Sequence, residues 1–326
     1  MTPMVTEDPA RRPRIAVVIP CYNAANWIDR TLETVFAAAP DLAPGEMAVI
    51  AVDDGSTDST ADLVRAWEGR VAAWGNRLVL ETGPNAGACR ARNRGLAIAE
   101  AIRAPLILFF DADDYIEGPM IGAAVALAEA SGAEMVMSDM HVESPEGREI
   151  RHHYEGEVAP EAFFEGWMAG RYINPSGILW RTDFVRRIGG WDEKLWRAQD
   201  LDIVLRALFE RPRILMNGTG AAIHTRENPS SVSRSQSARA LDSRLRALTR
   251  FLDRIDGTPF EASRHHFHRE LYITARAAFQ NGETGIGRRA VEVLRRDGYR
   301  RQHGTLVHRL GAAVLGLERK VRLWGA

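Results

Sequence analysis

From Ile15 onward the chain alternates between short, β-branched apolar runs and longer stretches with helical spacing, and each apolar run stops at a cluster of turn-forming or acidic residues. That alternation calls for strands joined by crossover helices, hence an α/β fold with a parallel or mostly parallel sheet. The spacing predicts strands at Ile15–Ile19, Met47–Val52, Arg77–Glu81, Leu106–Phe110 and Glu134–Ser138. Helices are predicted between them, at Asn26–Ala38, Ser59–Trp74, Ala88–Ile102 and Pro119–Ala130. Most of these strands are continuous apolar runs, as strands covered on both faces should be. Four strand ends carry polar or turn chemistry: Pro20-Cys21-Tyr22-Asn23, Asp53-Asp54-Gly55-Ser56, Thr82-Gly83-Pro84-Asn85 and Asp111-Ala112-Asp113-Asp114. Ligands in open α/β sheets bind beyond the carboxyl ends of the strands, so these loops should converge on one crevice.

After Ser138 the alternation weakens. Glu143–Glu157 is polar and contains glycine, which fits a hairpin or a loop. A helix near Pro160–Ala169, a strand near Gly177–Arg181, a helix near Gln199–Glu210 and a strand near Ala221–Thr225 complete the first unit. From about Ser235 only helical segments follow, at Ala238–Ile255, Glu261–Asn281, Ile286–Arg296 and Thr305–Trp324, separated by glycine-bearing breaks. The organisation expected is a flexible lead over residues 1–13, an α/β domain over 14–232 and a helical extension over 233–326.

At 326 residues, 45% hydrophobic and 26% charged, the chain can bury a sizeable core. A balance of 42 basic against 43 acidic residues provides no global field for nucleic acid. Cys21 and Cys89 are too few for a disulfide framework and fit a cytoplasmic protein in which both are buried small apolar residues. Met1 to Arg14 lack an apolar run and read as a lead-in rather than a signal peptide. No apolar stretch approaches the roughly 20 residues that span a bilayer.

Asp111 and Asp113, one residue apart in a turn with the small Ala112 between them, can face the same side and bind Mg²⁺ or Mn²⁺. Alternatively, the turn is a solvated acidic cap for the helix that follows. With the acidic end at Asp53-Asp54, the pattern points to a nucleotide-diphosphate site.

Four motifs occur in order: Val17-Val18-Ile19-Pro20-Cys21-Tyr22-Asn23, Val52-Asp53-Asp54-Gly55-Ser56-Thr57-Asp58-Ser59-Thr60, Asn85-Ala86-Gly87 with Ala91-Arg92-Asn93-Arg94-Gly95, and Asp111-Ala112-Asp113-Asp114. Together they resemble glycosyltransferase family 2, the inverting GT-A-fold enzymes that use nucleotide-diphosphate sugars, over roughly residues 14–232. The resemblance implies that Pro20 and Tyr22 flank the base and that Asp54 accepts a hydrogen bond from a pyrimidine N–H. It further implies that Arg92 reaches the base or diphosphate, that Asp111 and Ala112 line the donor, and that Asp111 and Asp113 hold the metal. Asp58, Ser59 and Thr60 read rather as helix caps, and Arg90 and Arg94 equally well as a solvated helix face. In Arg197-Ala198-Gln199-Asp200-Leu201-Asp202, Asp200 matches the family's catalytic base, with Asp202 second; Gln199 stands where many members have Glu. His224, in Ile223-His224-Thr225-Arg226, stands where a late histidine ligates the metal or diphosphate, and Arg226 is an alternative clamp. Asn228–Ser235 reads as a loop that orders over the donor. Asn174-Pro175-Ser176-Gly177 and Gly189-Gly190-Trp191-Asp192-Glu193 resemble loops on the sugar and acceptor side, with Trp191 a stacking platform or a loop anchor.

The resulting expectation is a metal-dependent transferase that moves one sugar, from UDP-sugar in the first instance, to a glycan or lipid-linked acceptor of cell-surface polysaccharide. A catalytically inactive glycan-binding or scaffold member of the same fold is the alternative. A sugar nucleotidyltransferase would need a glycine-rich phosphate loop near the N-terminus, which Pro20-Cys21-Tyr22-Asn23 does not supply. Residues 288–326 hold ten Arg or Lys against three acids. Leu306, Leu310, Val314, Leu317, Val321 and Trp324 recur there at helical spacing, which fits either a helix lying on the inner membrane face or one packed on protein. Lys194 and Lys320 are the only lysines, a codon-usage pattern of GC-rich bacteria.

Overall fold

The computed structural model describes residues 12–151, 154–226, 235–299 and 317–324. Packing divides the chain into two compact units. The first comprises Met1–Trp167, Arg171–Trp191 and Arg206–Pro229; the second comprises Met168–Gly170, Asp192–Leu205 and Ser230–Ala326.

The first unit is built on a mixed sheet. In chain order the elements through β10 are β1 (Ile15–Cys21), α1 (Ile28–Ala37), β2 (Met47–Asp53), α2 (Thr60–Ala73), β3 (Arg77–Thr82), α3 (Ala88–Ala101), β4 (Leu106–Phe109), β5 (Tyr115–Glu117), α4 (Met120–Ser131), β6 (Met135–Ser144), β7 (Gly147–Arg151), β8 (Glu157–Val158), α5 (Pro160–Met168), β9 (Ile178–Arg181), α6 (Thr182–Arg187), α7 (Gln199–Phe209), whose residues up to Leu205 belong to the second unit, and β10 (Ile214–Thr225). The strand order is β3-β2-β1-β4-β9-β6-β10-β5, with β7 paired to β6 and β8 to β10. β3, β2, β1 and β4 run parallel, as their crossover helices require, while β9 enters antiparallel between β4 and β6. The sheet is therefore mixed: it is parallel through the half where the sequence alternates most regularly, and β6 and β10 form a second parallel pair beyond β9.

Alternate residues of β1 divide the core. Ile15, Val17 and Ile19 pack with Leu32 and Val35 of α1, Val64 and Val71 of α2, and Ile121 and Val125 of α4. Val18 points the other way, toward α3, where a Cβ on Gly95 would stand 2.2 Å from Val18 Cγ1. Every residue of β2 is buried, which accounts for its unbroken apolar run.

Several elements extend beyond the predicted bounds. β6 continues to Ser144 and then turns into β7, with Ser144 paired to Gly147, so the polar 143–157 stretch is in part a hairpin. β10 begins at Ile214, seven residues before its predicted start at Ala221. Its register shifts between Asn217 and Ala221, and the Asn217-Gly218-Thr219-Gly220 irregularity hides the strand from a periodicity reading. β5 and α6 were not predicted, being too short to show a period.

The second unit holds the segment Asp192–Leu205 and the helices α8 (Ala238–Leu252), α9 (Arg264–Gln280), α10 (Thr284–Arg296) and α11 (Leu317–Trp324). α8, α9 and α10 pack on one another, and Leu241, Leu248 and Phe251 of α8, Phe267 and Leu271 of α9, and Ala290 and Leu294 of α10 are buried. Ser237 caps α8 by accepting from the Ala240 amide at 3.3 Å. Leu306, Leu310 and Val314 of the expected basic helix, most of the Asn228–Ser235 loop and nearly all of the 1–13 lead lie outside the described residues.

Candidate active site

The parallel half of the sheet brings the carboxyl ends of β1, β2 and β4 to one edge. Cys21 is in register with Asp53, and the Asp54 amide donates to the Cys21 carbonyl at 2.8 Å. The first loop is held to the second: the Asn23 amide donates to Ser56 Oγ at 2.9 Å, and Asn23 Oδ1 accepts from the Thr57 amide at 2.8 Å. Tyr22 projects from this loop and is 53% exposed, so its ring is free to stack, while Pro20 is half-buried. Asp54 is buried and occupied: its two oxygens accept from the amides of Ala86 and Gly87 at 2.9 and 2.7 Å. It braces the Asn85-Ala86-Gly87 turn that starts α3. Asp58 caps α2 by accepting from the Thr60 amide at 3.0 Å, as its position in the sequence implied. Burial pushes the Cys21 thiol far up, helped by the charges of Asp53 and Asp58; Cys21 and Cys89 are both buried and neither is in a disulfide.

The centre of the β4 end is Asp114, which is 0% exposed. Its Oδ2 accepts from Asn174 Nδ2 at 3.0 Å and Ser176 Oγ at 2.8 Å. Its Oδ1 takes the Thr225 amide at 3.2 Å and His224 Nδ1 at 3.0 Å. Four donors fill a carboxylate that has about four lone-pair sites. β10 delivers two of them, because Ile223 pairs with Tyr115 of β5 and so sets His224 and Thr225 beside the turn. Thr225 Oγ1 also donates to the Asp113 carbonyl at 2.8 Å, fixing the turn's backbone. The Asn174-Pro175-Ser176-Gly177 segment, expected on the sugar side, thus turns its Asn174 and Ser176 side chains inward to Asp114.

Asp111, Ala112, Asp113 and His224 are thereby gathered around one anchor. Asp111 accepts from Arg92 Nη2 at 2.7 Å, and Ala112 is buried. Arg92 is 5% exposed, and its guanidinium lies 4.4 Å from the ring centroid of Trp191. Trp191 is itself pinned: its amide donates to Asn93 Oδ1 and its carbonyl accepts from Asn93 Nδ2, both at 2.8 Å. It is a buried ledge beneath Arg92 rather than a platform for sugar. Arg94 ties α3 to β3 through Glu81 and the Thr82 carbonyl, whereas Arg90 is exposed.

The donor set suits a hard divalent cation. Asp111 and Asp113 are half-exposed, in contrast to the sealed Asp114. An ionised Asp114 can only accept, so His224 Nδ1 carries a proton and Nε2 is the ring atom left for a ligand, the arrangement in which a carboxylate orients a ligating imidazole. Asn174 Oδ1, beside Asp114, is buried with no hydrogen-bond partner among the described residues. Burial pulls His224 toward its neutral form, but the hydrogen bond to Asp114 and the charges of Asp114, Asp111 and Asp113 outweigh it and raise the pKa from 6.5 to about 9.

Asp200 lies in the second unit, in the first turn of α7 and half-buried. Ala198, just before it, has φ 59°, a left-handed conformation that is costly for a residue with a Cβ. Asp202 is fully buried and accepts from Arg250 Nη1 at 2.7 Å, while Arg250 Nη2 donates to Asp192 at 2.6 Å. Asp202 is thus committed to an ion pair with Arg250.

Asp114 was in view in the sequence as a member of the acidic turn, but nothing there distinguished it from Asp111 and Asp113. Its four donors come from residues 60 to 111 positions away, beyond any local pattern.

The family description "Glycosyl transferase family 2" matches residues 16–183. The chain is 37% identical over 121 residues to validoxylamine A glucosyltransferase of Streptomyces hygroscopicus subsp. limoneus, covering 37% of this chain and 25% of that protein. It is 26% identical over 201 residues to poly(ribitol-phosphate) beta-N-acetylglucosaminyltransferase TarS of Staphylococcus aureus (strain MW2), covering 62% of this chain and 33% of that one. It thus spans between a quarter and a third of the length of these relatives. The crystal structure of S. aureus TarS 1–349 with UDP-GlcNAc superposes with a TM-score of 0.62 at 21% identity over 82% of this chain and 72% of that one. Mannosyltransferase PcManGT from Pyrobaculum calidifontis, solved with GDP-Man and Mn²⁺, superposes with a TM-score of 0.53 at 18% identity over 99% of this chain and 86% of that one. At these identities the structures establish a shared GT-A fold.

Proposed function

This chain belongs to glycosyl transferase family 2, and from that membership we propose that it is an inverting, metal-dependent glycosyltransferase using a nucleotide-diphosphate sugar, UDP-sugar foremost. The observation that carries the reading is the cluster of Asp111, Asp113 and His224 around the saturated Asp114 at the carboxyl edge of the sheet. Bound by Asp111, Asp113 and the Nε2 of His224, Mn²⁺ or Mg²⁺ would offset the charge on the departing nucleoside diphosphate.

The chain's own residues divide the remaining work. Tyr22 offers its exposed ring to the base. Arg92, stacked on Trp191, holds Asp111 in place. Asp200 takes the proton from the acceptor hydroxyl as that oxygen bonds to the anomeric carbon and the bond to the diphosphate oxygen breaks, inverting the sugar's configuration. The catalytic domain is read as residues 14–232 and the helical extension as 233–326. The acceptor is read as a glycan or a lipid-linked saccharide; a polymer acceptor accords with the similarity to TarS, a poly(ribitol-phosphate) beta-N-acetylglucosaminyltransferase. The excess of basic residues in 288–326 accords with an acceptor held at an anionic membrane face. Among the described residues no helix is long and apolar enough to cross a membrane.

Calorimetric titration of UDP and GDP, with Mn²⁺ or with EDTA, tests the reading. UDP binding that needs the metal and disappears in Asp113→Ala is expected. Absence of binding by either nucleotide would overturn it.

A further inference from the structure

Asp200 sits in a segment whose backbone is organised from α8. Ser243 of α8 is 3% exposed, and its single hydroxyl serves three backbone groups of that segment. Ser243 Oγ accepts from the amides of Trp196 and Arg197, each at 3.0 Å, and donates to the Arg197 carbonyl at 2.6 Å. Two turns further along α8, Arg250 bridges Asp192 and Asp202, at 2.6 and 2.7 Å. The two α8 residues therefore grip the segment on both sides of Asp200. Between the grips Ala198 is held at φ 59° and Asp202 closes the first helical turn through its amide to the Ala198 carbonyl at 3.1 Å.

A non-glycine residue at positive φ persists only where its surroundings over-determine it, and here the over-determining bonds come from Ser243. A hydroxyl is the smallest group able to satisfy two amides and one carbonyl at once, because it accepts twice and donates once. We propose that Ser243, in the helical extension, is a positioning residue for Asp200, and that Arg250 supports it by clamping the flanks. The extension is then part of the reaction apparatus rather than an appendage. This inference rests on the reading of Asp200 as the base.

The test compares wild type with Ser243→Ala, Asp200→Asn and the double variant. The readouts are UDP release from UDP-glucose and UDP-N-acetylglucosamine, metal-dependent UDP affinity, and amide hydrogen exchange of the 195–200 segment. Ser243→Ala should lower kcat by roughly a hundredfold, the loss expected when a reacting group shifts by about an ångström. UDP affinity should stay within twofold, and exchange at Trp196 and Arg197 should accelerate. In the Asp200→Asn background the same substitution should cost nothing further. An equal loss in both backgrounds, or unchanged exchange at the two amides, would overturn the proposal. Should Ser243→Ala fail to fold, Ser243→Cys keeps the volume with a weaker hydrogen-bonding group and is read in the same way. Full turnover by Asp200→Asn would refute the assignment of the base instead, while the exchange data would still decide whether Ser243 orders the segment.

Discussion

His224 Nδ1 lies 3.0 Å from Asp114 Oδ1, and the carboxylate it meets is fully buried and bonded to three further donors. The imidazole therefore has one orientation and one tautomer available, with Nε2 as its outward atom. The turn that carries Asp111 and Asp113 is fixed by the same contacts.

Removing the charge at this anchor should disable the site without touching a ligand atom. Asp114→Asn replaces an acceptor-only group with one that also presents N–H donors, so at least one of its four partners is left facing the wrong polarity. Mn²⁺-dependent UDP binding, measured by titration calorimetry, should weaken by about 10–100-fold, the usual cost of losing an outer partner of a ligating histidine. Retained affinity in a folded variant would show that His224 does not depend on Asp114.

The same pair makes a pH-dependent contribution to the stability of the metal-free protein. His224 has its pKa raised to about 9 in the fold, against 6.5 when unperturbed. A group with a higher pKa folded than unfolded stabilises the fold fully below pH 6.5 and loses that contribution as pH rises through 9. The effect amounts to about 3 kcal/mol at most. Urea unfolding in EDTA, for wild type and His224→Gln, should show the largest difference near pH 6 and a shrinking one toward pH 9.5. A difference that does not change with pH would contradict a charged imidazole on Asp114.

The parallel half of the sheet and the loops at its end were legible because each crossover unit repeats a local pattern: a buried strand, a polar end, an amphipathic helix. β9 was legible as a strand near Gly177–Arg181, but its antiparallel place between β4 and β6 was not, and β5 and the first half of β10 were missed, because a three-residue strand, or one broken by Asn217–Gly220, leaves no such repeat. The roles of individual side chains divided along the same line. Asp58 was legible as a cap because its partner Thr60 is two residues away. Trp191 beneath Arg92, and Ser176 on Asp114, depend on contacts across 99 and 62 positions that only the tertiary fold creates.

The neighbouring carboxylates of α7 should separate stability from catalysis. Asp202 is buried on Arg250, so Asp202→Asn should cost about 1–3 kcal/mol in urea unfolding, tempered because Arg250 is partly exposed and keeps Asp192. Asp200→Asn should leave unfolding and UDP affinity nearly unchanged while lowering kcat by about 10²–10⁴-fold, the range for removal of a general base. The reverse pattern would move the base from Asp200 to Asp202.

Gly95 joins the packing of the fold to the geometry of the site. A Cβ there would stand 2.2 Å from Val18 Cγ1 on β1, so Gly95→Ala must push α3 off the sheet or force Val18 from its rotamer. Overpacking of this kind costs about 1–3 kcal/mol. Arg92 lies three residues earlier on the same helix, on a neighbouring face, so an outward shift of α3 carries its guanidinium away from Asp111. Gly95→Ala should therefore lower both the unfolding midpoint and metal-dependent UDP affinity. Adding Val18→Ala makes room for the new methyl, and the double variant should recover UDP affinity even though each substitution alone is destabilising, a coupling expected only for residues in direct contact. Recovery of stability without recovery of affinity would mean that Arg92 does not owe its place on Asp111 to the close seating of α3 against β1.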